Sequence, residues 1–193
     1  MINSKQFQTT VHRFIELYGD RTEGIGEEIH AGLAWIDETK FVLIGGADTT
    51  TPQPPSWRRI SRLLDLAQQL NRPLLLWDPP FQTDITGPTT LLHRSAVQNS
   101  QLQLLKLPVP IIGVFEALAL EPNFAPIDAA VLVQPGEAGP QLETSPVLVK
   151  VAADSAGLKS EILELIGHLS TLPVERLVDQ RLNSLRQAAG SGH

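Results

Sequence analysis

Apolar residues recur along this chain in two rhythms, and the switches between them place the elements. Phe7, Val11, Phe14, Ile15 and Tyr18 fall close to helical spacing, which predicts a helix from Gln6 to Tyr18 with Gly19 as its stop. Ile29 to Ile36 and Phe41 to Ile44 predict strands, with Asp37-Glu38-Thr39-Lys40 as the turn between them. Thr49 to Pro55 is a Thr/Pro loop. Ser56 stands where a serine hydroxyl caps the free amides of a helix, and Trp57, Ile60, Leu63, Leu64, Ala67 and Leu70 then line one face. Asn71-Arg72-Pro73 ends that helix.

Leu74 to Trp77 is wholly apolar, as expected of a strand covered on both faces, and Asp78-Pro79-Pro80 stops it. Phe81 to Pro88 reads as a loop and Thr89 to Leu107 as a helix with a mixed face. Val109 to Phe115 and Ala129 to Val133 are further buried strands, and Val147 to Val151 is a short one. Gln134 to Ser145 is a Gly/Pro-rich loop. Leu158 to Leu169 and Val174 to Leu185 are amphipathic helices separated at Pro173, a residue favoured in a first helical turn. Strands alternating with helices predict an α/β protein with largely parallel strands.

Composition narrows the chemistry. With 193 residues the chain has the size of one domain. It has no cysteine, which excludes disulfides, thiolate metal sites and cysteine nucleophiles. The net charge of -6 argues against a nucleic-acid partner. No run of 18 apolar residues spans a membrane, and Met1 to Thr10 lacks the apolar core of a signal peptide. A cytoplasmic or plastid-stroma-like location is therefore expected. Residues 189–193 read as an expression scar, leaving 1–188 as a single domain.

The run Arg13-Phe14-Ile15-Glu16-Leu17-Tyr18-Gly19-Asp20-Arg21 is followed by Ile29-His30-Ala31-Gly32-Leu33-Ala34-Trp35-Ile36-Asp37. Together they resemble the entry to the carboxyltransferase α subunit of bacterial and plastid acetyl-CoA carboxylase. Further stretches resemble that family in order: Phe41 to Gly46, Trp57 to Pro73, Leu74 to Pro80, Leu107 to Ile112 and Leu172 to Arg186. The chain is much shorter than the family's α subunits. The resemblance implies a crotonase-like fold, a spiral of ββα units with a largely parallel sheet flanked by helices and a C-terminal helical pair.

It also implies chemistry through an enolate, which needs two backbone amides aimed at the developing oxyanion. The family supplies them from glycine-rich turns, because the chain must approach closely. Here the matching segments are Phe115 to Pro126 and Asp78 to Gln82, and neither contains a glycine after the strand. Glu116 and Glu121 add charge that repels an enolate, and Pro122 and Pro126 have no amide to donate. The expected protein is a non-catalytic carboxyltransferase-α-like one, without cofactor, that binds a protein partner: a second copy or a carboxyltransferase-type subunit.

The alternative is an active acyl-CoA carboxyltransferase linked to malonyl-CoA and fatty-acid synthesis, using a CoA thioester and carboxybiotin. Its oxyanion region would lie at Ala117, Leu118, Pro80 and Phe81. A ligand-binding sensor without turnover is a third reading. Gly45-Gly46 suits a phosphate turn or an ordinary strand exit, since a full glycine fingerprint is missing. Asp78 suits a general base or a turn residue before proline. Glu116 and Glu121 would serve acid–base work only if their surroundings drove their pKa values apart. His12, His30, His93 and His168 lack metal-ligand spacing, and His30 suits a satisfied sheet residue. Val174, Leu177, Val178, Leu182 and Leu185 suit either a protein contact or packing on the chain's own sheet.

Overall fold

The computed structural model describes residues 4–18, 29–46, 54–79, 91–116, 126–133 and 147–190. Seven strands form one sheet: β1 (Arg13–Glu16), β2 (Ile29–Ile36), β3 (Thr39–Gly46), β4 (Leu74–Trp77), β5 (Ile111–Phe115), β6 (Ala129–Val133) and β7 (Leu148–Ala152). They lie side by side in chain order. β1, β2 and β3 pair antiparallel, and β3 through β7 pair parallel.

The crossover helices α2 (Pro54–Leu70) and α3 (Leu91–Lys106) cover one face. Their residues Trp57, Ile60, Leu64, Val97 and Leu104 pack with Val42, Ile44, Leu74, Leu76 and Ile111. Successive same-handed crossovers advancing in one direction put both helices on that side. The other face carries Phe41, Leu43, Leu75, Trp77, Ile112 and Val114. It is covered by α1 (Lys5–Thr10), by α4 (Ser155–Leu169) through Leu158, Ile162 and Leu165, and by Leu177 of α5 (Val174–Gly190).

The first element departs from the helix expected over Gln6 to Tyr18. α1 ends at Thr10, Val11 is extended, and Arg13 to Glu16 form the edge strand β1. The spacing of Phe7, Val11, Phe14 and Ile15 fits a helix, but β1 gains ladder bonds to β2 and turns Phe14 onto the second core. Gly32 makes that pairing possible. A Cβ there would stand 2.1 Å from the Ile15 carbonyl oxygen. Gly32→Ala is therefore expected to destabilise the protein by about 1–3 kcal/mol in chemical denaturation. Hydrogen exchange should quicken at the Leu17 amide, which donates to Ala31 at 2.9 Å.

Smaller differences have local causes. The β2–β3 turn is only Asp37-Glu38, with Asp37 at φ 50°. α2 starts at Pro54, so Ser56 lies buried inside its first turn rather than at its cap. Its far end closes on Asn71 at φ 48°: Arg72 N donates to Ala67 O at 3.0 Å and Asn71 N to Gln68 O at 3.1 Å. This pair of bonds is the Schellman arrangement, and asparagine tolerates the left-handed conformation it requires. Asp154 caps α4 by accepting from Gly157 N at 2.7 Å.

Candidate functional site

In open parallel sheets, ligands bind beyond the carboxyl ends of the strands. Here β3 ends at Gly45-Gly46, β4 at Trp77 and β5 at Phe115, side by side. Asp78 joins them. Its amide donates to Val114 O at 2.8 Å, and its carbonyl accepts from Gly46 N at 3.2 Å. Its Oδ1 accepts from Glu116 N at 2.9 Å. The residue has φ 39°, which aspartate tolerates better than most side chains because it bonds locally.

Glu116 turns its carboxylate back toward the protein. Oε1 accepts from the Trp77 indole N–H at 2.7 Å and from the Ser4 hydroxyl. Ser4 also accepts from Phe7 N at 2.9 Å, so the cap of α1 is tied to the end of β5. Phe7 meets Trp77 edge-on with ring centroids 5.1 Å apart. Asp78 lies at the surface, yet the crowded strand ends strip hydration from its carboxyl, and this loss raises its pKa. The Glu116 amide pulls in the opposite direction, and the Glu116 charge adds to the rise.

Among the expected site residues, Gly46 and Asp78 are joined by a hydrogen bond, and Gly45 pairs opposite His30 and beside Trp77. Gly45-Gly46 continue the ladder with β2 to the end of β3. Pro80, Phe81, Ala117, Leu118 and Glu121 lie outside the described residues. Among the described residues, the carboxylate that influences Asp78 is that of Glu116. Asp78 keeps its turn role before Pro79, and that turn ties three strands.

His30 is satisfied as expected, with Nδ1 2.9 Å from Glu16 Oε1. Trp57 and Trp77 are both core. Among the described residues no group of three or more His, Asp or Glu is placed to hold a metal ion, and no helix is long and apolar enough to cross a membrane. On α5, Leu177 is only 2% exposed and belongs to the core, so it is not available to a partner. Val174 and Leu185 are exposed at 40% and 37%, and Val178 and Leu182 are half-buried.

Two buried arginines went unforeseen. Arg59 of α2 donates to the carbonyls of Leu17, Ile29 and Ala31 and to Glu16. Arg181 of α5 grips Asp128 through two bonds of 2.8 and 2.5 Å and donates to the carbonyls of Leu104, Leu107 and Val109. Asp128 also accepts from Ile111 N at 2.7 Å. Both arginines fasten helices to strand ends. The available signal for Arg181 is a lone charge within an apolar stripe, four residues after Leu177 and four before Leu185.

No family model matches this chain. The carboxyl transferase subunit alpha of acetyl-coenzyme A carboxylase from Clostridium botulinum is 30% identical over 113 residues, covering 52% of this chain and 41% of that protein. The same subunit from Xanthomonas oryzae pv. oryzae is 32% identical over 116 residues, covering 54% and 36%. The matches thus span about two fifths of the length of these curated relatives. Among solved structures, a chain of the Pseudomonas malonate decarboxylase MdcD-MdcE hetero-dimer aligns over 92% of this chain and 91% of its own. Its TM-score is 0.59 at 15% identity. The beta subunit of geranyl-CoA carboxylase from P. aeruginosa aligns over 83% of this chain and 42% of its own, with a TM-score of 0.56 at 17% identity. The resemblance to that subunit therefore holds over about half of the chain. The chain is a relative of carboxyltransferase α subunits over half its length, and its fold is the crotonase-type fold of carboxyltransferases.

Proposed function

We propose that this chain is a non-catalytic, carboxyltransferase-α-like protein that works by binding another protein within or alongside a carboxylase complex. The observation that carries the reading is the closure of the strand ends by Asp78. The amides of Gly46, Asp78 and Glu116 all donate inside the protein. An enolate arriving there would meet the Asp78 carboxylate with that of Glu116 close behind it, and an oxyanion needs free, aimed donors. The segment from Phe115 to Pro126 adds no glycine with which to build others.

Calorimetric titration of the whole chain with acetyl-CoA and malonyl-CoA tests this reading, and no binding at micromolar ligand is expected. Micromolar binding together with carboxyl transfer from a biotin derivative would establish the active-subunit alternative. Binding without transfer would make the chain an acyl-ligand sensor. Pull-down of the tagged chain from its native host tests the partner: absence of carboxylase subunits from the captured material would remove the carboxylase complex from the proposal.

A further inference from the structure

Beside its buried side, α5 carries an apolar row that belongs to neither core cluster of the described residues. Val174, Val178, Leu182 and Leu185 are separated by four, four and three residues. At ~100° per residue this spacing keeps them within one sector of about 80°, beside the buried positions Leu177 and Arg181. The row is half-buried in its middle and exposed at both ends.

Charges flank it in a particular order. Glu175 stands at the start of the helix and Arg186 near its end, on the same side of the row. In an antiparallel pair of identical helices related by a two-fold axis, position i faces a position whose number makes a nearly constant sum with i. Val178 opposite Leu182 gives 360, Val174 opposite Leu185 gives 359, and Glu175 opposite Arg186 gives 361. One register therefore matches apolar with apolar and acid with base, twice over. Same-flank charges meet in this geometry, as in antiparallel coiled coils, and an isologous contact requires self-complementarity of this kind.

We infer that α5 is the homodimer contact of this protein, packing antiparallel against α5 of a second copy with Val178 and Leu182 at the centre and Glu175–Arg186 pairs at both ends. This rests on the protein-binding reading above and names its partner. A 17-residue helix is about 25 Å long, enough for both central and flanking pairs.

Sedimentation equilibrium of the full chain tests the contact. Wild type is expected to show a monomer–dimer equilibrium, and Val178→Asp to be monomeric. Glu175→Arg places like charges opposite each other at both ends and should weaken the dimer about tenfold or more. The double change Glu175→Arg with Arg186→Glu should restore it. Both positions are exposed, so these variants stay informative even where Val178→Asp misfolds. A monomer at every concentration, a dimer indifferent to Val178→Asp, or no rescue by the swap each overturns the inference. Capture of a carboxylase subunit by a monomeric chain would overturn it while leaving the proposed function standing. Malonyl-CoA binding by an intact dimer would do the reverse.

Discussion

Arg181→Ala is expected to lower the free energy of unfolding by about 3–5 kcal/mol, measured by denaturant titration. Both Arg181 and Asp128 are completely buried. Removing the guanidinium leaves the Asp128 carboxylate in the core with, among the described residues, the Ile111 amide as its remaining donor. It also strips the guanidinium donor from the carbonyls of Leu107 and Val109 and leaves Leu104 with the Leu107 amide, where α3 ends and the chain turns into β5. Such groups cost about 1–3 kcal/mol each when water cannot reach them. Replacing both partners by apolar residues, Arg181→Met with Asp128→Leu, should recover much of the loss, because no charge is then left unpaired. A single variant within about 1 kcal/mol of wild type would refute this account of how α5 is fastened.

Arg59→Leu is expected to destabilise by about 3 kcal/mol, since Arg59 bridges Leu17, Ile29 and Ala31 across the entry to β2. It also covers the Tyr18 ring, 5.4 Å from its centroid. The variant should change the acid limb of stability as well. Burial alone raises the Glu16 pKa, but the bonds from His30, Tyr18 and Arg59 outweigh it and hold the group below its usual value of 4.5. A carboxyl lowered on folding adds stability that is complete above the unfolded pKa and is lost as pH falls through the folded one. Wild type should thus lose stability below about pH 4.5, and Arg59→Leu should lose less over that window because one of the holding bonds is already gone. Equal slopes in the two proteins would show that Arg59 does not hold Glu16.

The parallel part of the sheet was legible in the sequence because strands covered on both faces carry unbroken apolar runs. Leu74 to Trp77 and Ala129 to Val133 were placed at their observed bounds for this reason. β1 was not legible as a strand. It is short and at an edge, and its apolar spacing suits a helix as well as a ladder. At the site, Asp78 was visible as a turn residue, but its bond to Glu116 was not: these residues lie 38 positions apart and meet only because β4 and β5 are neighbours. Sequence proximity suggested Glu121, which lies outside the described residues, as the carboxylate beside Glu116; topology adds Asp78. The buried arginines were hidden for a related reason, since most of their partners are backbone carbonyls, which leave no trace in residue type.

The two faces of the sheet become coverable at different times in the life of the chain. The helices on the first face lie between strands and emerge from the ribosome with them. The second face is roofed by α1 from one end of the chain and by α4 and Leu177 from the other. Until Ser155 and the residues after it have been made, Phe41, Leu43, Leu75, Trp77, Ile112 and Val114 belong to a sheet whose second face lacks α4 and Leu177. The second core therefore closes only once α4 and Leu177 have been added to it, later in synthesis than the first.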